Sequence, residues 1–136
     1  MAVAELPGGG ANGNAGKRIG LFRLGSGFGN AGRVCKDAWL TGVSAMTVDA
    51  QGRIIVVGTT PGPGGLSDFG VARFNADGSD DASLAGDGGT AFGFDDAGVV
   101  DSDDSPTSVL AEADGKIVVA GSVLYAARRA VSAWSA

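Results

Sequence analysis

The chain has 136 residues, 25 of them glycine and four proline, with a net charge of −5. Such a length suits one domain of ordinary size, and much glycine with little proline fits tight turns rather than collagen or a proline-rich linker. The lone cysteine, Cys35, excludes an intrachain disulfide and a cysteine zinc site, and the lack of histidine removes Ser–His–Asp and Cys–His catalysis and most catalytic zinc centres.

Residues 1–18 are rich in Gly, Ala and Asn and read as a flexible leader. The opening MAVAELPGGG has neither the basic nor the apolar stretch of a signal peptide, so the expectation is either a cytoplasmic chain or a start that is not the natural beginning of the gene product. No run approaches the ~18 apolar residues of a membrane span. Residues 19–42 form a partial repeat unit: an apolar strand over 19–24, a glycine-rich turn over 25–32, and a helix or irregular crossing over 33–41. A full unit with an acidic connector follows over 43–105. Strands are predicted over 43–48, 53–57, 68–75 and 90–94, with turns at Asp49-Ala50-Gln51-Gly52 and Asn75-Ala76-Asp77-Gly78. Asp favours turn starts, and Gly accepts the positive φ that ends such loops. Ile54–Val57 is β-branched throughout, as in a strand covered on both faces. Residues 59–66 read as a Pro/Gly loop and 95–105 as the connector. The next unit begins over 106–123, and 124–136 is an atypical tail. Within that tail, 125–128 reads as a worn copy of 69–73, as out-of-frame sequence or as a short helix. The expectation from this pattern is a fragment or a truncated gene.

The units are recognisable as copies. VSAMTVDAQGRIIVVGT (43–59) lies over PTSVLAEADGKIVVAGS (106–122), displaced by 63 residues. Ala50, Gly52, Ile54, Val56 and Gly58 match Ala113, Gly115, Ile117, Val119 and Gly121. Long-period self-similarity predicts a propeller, solenoid or array, and four short antiparallel strands per unit favour a propeller blade. The expected fold is all-β, β-propeller-like and incomplete or open, because propellers need about 4–8 blades to close. The expected core includes Ile54, Val56, Ile117 and Val119.

Three stretches resemble the delta-60 repeat, a bacterial β-propeller-like repeat. DFGVARFNADGS (68–79) is similar to its third strand and turn. ADGKIVVAGS (113–122) is similar to its hairpin. FGNAGRV (28–34) is similar to its glycine turn, with 84–90 a looser copy, and together these span residues 19–123. The resemblance implies a repeat-built structural or interaction module of a secreted or cell-surface bacterial protein. It implies other repeat units or proteins as partners, a possible homo-oligomer, and no catalytic residues, so no enzyme is expected.

Gly27-Phe28-Gly29-Asn30-Ala31-Gly32 is a GxGxxG, and Asp49 follows Gly32 by 17 residues, near the spacing of a ribose-binding acid. An NAD(P)-binding oxidoreductase domain is therefore the alternative, although Asp49 leads into a hairpin and the glycines align with a repeat turn. Gly16-Lys17 fails as a P-loop, having Ala11 and Arg18 at the needed positions. From 68 to 104 there are ten Asp and one basic residue, Arg73, which argues against nucleic acid; Arg128-Arg129 is too small a patch to reverse this. Clustered loop carboxylates suit a hard cation, so Asp95, Asp96, Asp101, Asp103 and Asp104 are candidate calcium ligands of an adhesion module. Asp101, Asp103, Ser105 and Glu112 fall on EF-hand spacing, but Pro106 stands where glycine is required. Asp80-Asp81 and Asp95-Asp96 are adjacent turn residues, ill-placed as glycosidase pairs. Trp39, Phe69 and Phe74 are read as core rather than ligand-stacking residues, and Cys35 as a small buried hydrophobe.

Overall fold

A computed structural model describes residues 2–7, 17–23, 27–37, 40–94 and 102–125. Nine strands form three antiparallel sheets, and no α-helix occurs among the described residues. The first sheet holds β1 (Ala2–Pro7), β2 (Lys17–Phe22) and β3 (Arg33–Asp37) in that order. The second runs β4 (Gly42–Val48), β5 (Ile54–Pro61), β6 (Ser67–Phe74) and β7 (Gly89–Phe92). The third is the hairpin of β8 (Ser102–Ala111) and β9 (Ile117–Tyr125).

The second sheet is the expected four-strand unit, and alternation along its strands divides its side chains between two cores. Ile54, Val56, Ala72 and Phe74 pack on Ile19, Leu21 and Phe28 of the first unit. Ile55, Val57 and Val71 face the other way, onto Val109, Ala111, Ile117 and Val119 of the third. Hence β5 is apolar at every position from Ile54 to Val57, each at most 1% exposed. Full burial of such a side chain contributes about 1.5–3 kcal/mol, and this strand gains it on both faces.

One hairpin turn occurs three times. In the first copy the Gly52 amide donates to the Asp49 carbonyl and the Asp49 amide to the Arg53 carbonyl, both at 3.0 Å. Asn75–Ser79 and Glu112–Lys116 repeat both bonds. The closing glycines Gly52, Gly78 and Gly115 have φ of 78°, 87° and 88°. A Cβ on Gly52 meets only ordinary contact, with Ala76 at 3.6 Å. Gly52→Val is therefore expected to cost about 1–2 kcal/mol of purely conformational energy, read as a lower urea midpoint with unchanged slope.

Both long hairpins carry the same irregularity. The β4–β5 register shifts between Val43 and Ala45, and the β8–β9 register between Pro106 and Ser108. Ser44 and Thr107, 63 residues apart, are the extra residues of matching β-bulges.

Several expectations require correction. Residues 33–41 hold a strand over Arg33–Asp37 rather than a helix, because Val34 joins the first core while β3 pairs with β2. The leader supplies β1 over Ala2–Pro7 and the start of β2 at Lys17. The loop after β5 is shorter than expected, since pairing with β6 continues to Pro61. The second half of the connector is already strand, from Ser102. Cys35 is exposed, on the face of β3 opposite Val34. Ile117 and Val119 are only half-buried, unlike Ile54 and Val56. Residue 124 and Tyr125 still belong to β9; residues 126–136 lie outside the described residues.

Candidate functional site

The glycine motif is a repeat turn. The Gly32 amide donates to the Phe28 carbonyl at 3.0 Å, and the Gly88 amide to the Leu84 carbonyl at 2.9 Å. Gly29 and Ala85 have φ of 52° and 53°, and Gly32 and Gly88 have 81° and 89°. The two segments share the closing bond and the positive φ at these two positions, differ between them (Ala31 has φ 51° in one, Gly86 φ 93° in the other), and lead into β3 and β7. A phosphate cradle of the dinucleotide type needs a helix N-terminus after the glycines; here a strand follows. The Gly29 amide donates at 2.8 Å to the Asp77 carbonyl, so the turn is bonded to the next unit. Asp49 is likewise engaged locally. Its carboxylate accepts from the Gln51 and Arg53 amides, both at 2.9 Å, and from Arg53 Nε at 2.6 Å.

Among the described residues, the densest charge network lies under the β6–β7 turn. Asp81 accepts from Arg73 Nε at 2.7 Å and Arg53 Nη1 at 3.4 Å, and from the Ser83 amide and hydroxyl at 3.0 and 2.6 Å. Arg73 also donates to Ser83 Oγ at 2.9 Å. Asp81 and Arg73 are both buried. Asp80, its neighbour, is exposed and pairs with Lys36 at 2.8 Å, so the two carboxylates diverge.

Bonding sets the acidity of these groups. Burial opposes ionisation of Asp49, but the hydrogen bonds from Arg53 and Gln51 outweigh it and hold the carboxyl below the usual range. The Ser83 hydroxyl lowers Asp81 against burial, helped by the Ser83 amide and the Arg73 charge. The Ser79 hydroxyl and amide lower Asp77, and the Lys116 side chain and amide lower Asp114. A carboxyl depressed in the folded state contributes stability that is complete above its unfolded value of about 3.9 and is lost as pH falls through the folded value. The thermal midpoint is thus expected to stay flat above about pH 5 and to fall below about pH 4. Asp81→Asn should flatten that decline in circular-dichroism melts.

Of the five candidate calcium ligands, Asp95, Asp96 and Asp101 lie outside the described residues. Asp103 and Asp104 are consecutive on β8, and consecutive strand residues face opposite sides. Asp103 is exposed and accepts from the Ser67 amide at 3.2 Å. Asp104 is fully buried, with Oδ2 accepting from the Phe94 amide at 2.9 Å and Oδ1 meeting no donor. No group of three or more potential metal ligands gathers among the described residues. The EF-hand spacing is not realised, since Ser102–Ala111 is extended and Glu112 begins the hairpin turn. Trp39 lies outside the described residues. Phe69 and Phe74 are core, 1% and 3% exposed, and the Phe69 ring packs edge-on to Phe94 with centroids 5.1 Å apart.

Between the second and third sheets lies a groove of about 280 Å³ that no sequence motif announced. Val71, Leu84, Thr90 and Phe92 line one wall, and Ile117 and Val119 the other. The signal was the repeat itself: β8 and β9 copy β4 and β5, and no β6 counterpart lies beside them among the described residues.

Stacked short antiparallel sheets, open among the described residues, make this an all-β, β-propeller-like repeat. Residues 51–84 match the family model described as a domain of unknown function (DUF5122) beta-propeller. The matched segment runs from the first hairpin turn through β5 and β6 to Leu84. No curated protein and no solved structure matches the chain. A β-propeller repeat fits a structural or interaction module, and no helix of the described residues is long and apolar enough to cross a membrane.

Proposed function

We propose that the chain is a non-catalytic structural or interaction module of the delta-60 type, belonging to a secreted or surface-associated bacterial protein. The supporting observation is the engagement of its carboxylates. Asp49, Asp77, Asp81 and Asp114 are each bonded within their own turns, and each carboxyl is held below the usual range. A general acid working near neutral pH needs the opposite shift. Its partners are other repeat units or proteins, and no resident cofactor is assigned. Light scattering during size exclusion is expected to give a compact monomer or a defined oligomer. Saturable NADH binding that Gly29→Ala abolishes overturns the reading in favour of an oxidoreductase domain.

The buried Asp104 supports a second reading, a calcium-dependent adhesion module. An enclosed oxygen without a donor is unfavourable unless something satisfies it, and Asp104 Oδ1 is such an atom. On this reading millimolar calcium raises the melting temperature, and Asp104→Asn removes the rise. An unchanged melting temperature eliminates calcium.

A further inference from the structure

We propose that the edge of β9 that carries no strand among the described residues, and the groove beside it, accept a β-strand from a polypeptide other than a second copy of this chain, laid against β9 as β6 lies against β5. This rests on the interaction-module reading and names the partner. The template is internal. β5 is paired on both sides, with β4 and with β6 from Ile54↔Phe74 to Pro61↔Ser67. β9 copies β5 and pairs with β8 from Ser102↔Tyr125 to Ala111↔Ile117, while its other edge carries no strand among the described residues. The backbone groups on such an edge are a template for strand addition.

Burial marks the same place. Ile54 and Val56 are 0% exposed, whereas their copies Ile117 and Val119 are half-buried on the groove wall. Ile54 and Val56 have β6 beside them as well as the first sheet packed on them, whereas Ile117 and Val119 have no strand on that side among the described residues. The groove also states what the occupant must carry. Its floor is the far face of β6 and β7, with Val71, Thr90 and Phe92. Its one charged lining group, Arg73, already pairs with Asp81 at 2.7 Å. Uncharged, small or aromatic residues at alternate positions therefore fit. β6 itself shows the pattern, with Ala72 and Phe74 on one face entering the first core. The occupant is an extended peptide of this alternation.

The test uses the whole chain and a fluorescein-labelled peptide of the β6 sequence SDFGVARFN (67–75). Anisotropy should saturate, and a scrambled peptide should bind at least about tenfold more weakly. Hydrogen exchange at residues 117–123 should slow on peptide addition. Phe92→Glu, at a position 39% exposed and so tolerant of change, should weaken binding at least about tenfold. Leu110→Ser, on the opposite face of the hairpin and 59% exposed, should leave it unchanged. Four results overturn the proposal: no saturation, equal binding of the scrambled peptide, slow exchange at 117–123 before peptide is added, or a doubled mass showing that a second copy occupies the edge. A chain that fails this titration yet assembles through another surface leaves the module reading standing, whereas NADH binding removes both.

Discussion

Gly58→Ala is expected to lower stability by at least about 3 kcal/mol, the upper end of the overpacking range, and Tm by roughly 10–15 °C. No positive φ is involved at this position. The β4 bulge carries the Gly42 carbonyl into the space a Cβ would need, with the Gly42 carbonyl carbon 2.8 Å and Val43 Cα 3.1 Å from it. These are backbone atoms, so no rotamer change relieves the clash, and the β4–β5 ladder must open. Gly121 has the same relation to the Ser105 carbonyl, and its Cβ would also lie 2.6 Å from the Phe69 ring. Gly121→Ala should act more locally, because among the described residues the third sheet packs on one face only. Faster hydrogen exchange over 102–125, with a smaller change in Tm, is its expected signature. An unchanged melt of Gly58→Ala would show that the bulge is misplaced.

Asp81→Ala is the second large effect, about 3–5 kcal/mol, the cost of leaving a buried ion without its partner. The loss strands Arg73, 7% exposed, with Ser83 Oγ at 2.9 Å as its remaining side-chain hydrogen-bond partner among the described residues. It also frees the Ser83 amide and removes the weaker contact from Arg53. The double substitution Arg73→Met with Asp81→Ala replaces the pair by apolar volume and should recover part of the loss. A double variant no more stable than Asp81→Ala, measured by urea unfolding, would show that the charge pairing is not the cause.

The fold was legible where local chemistry and tertiary structure agree. Alternation, β-branching at Ile54–Val57 and a turn acid with a closing glycine placed β4, β5, β6 and their turns to within a few residues. The 63-residue copy located the second hairpin. Where long-range pairing decides, the local signal failed. RVCKD has no strong alternation, and it is a strand because β2 offers it an edge. The leader reads as polar and glycine-rich, yet six of its residues pair with β2. Residue type alone makes Cys35 a buried hydrophobe, whereas its exposure follows from the phase of β3. The matched glycines Gly58 and Gly121 were visible in the alignment, but their reason was not: a neighbouring carbonyl fills the space, which only the paired strand reveals. The candidate calcium ligands are near in sequence, but a strand places the consecutive carboxylates Asp103 and Asp104 on opposite sides.

The paired bulges carry a consequence for how such a chain changes length. Each hairpin holds its own alignment mark, a carbonyl seated against a glycine, so its two strands cannot slide by one residue without a collision. A duplicated hairpin therefore arrives already indexed, and its inward and outward faces are fixed before it meets its neighbour. Insertion or loss of a unit changes the number of layers without disturbing the phase of those that remain, which makes copying of the gene segment structurally safe in a way that lengthening a strand is not.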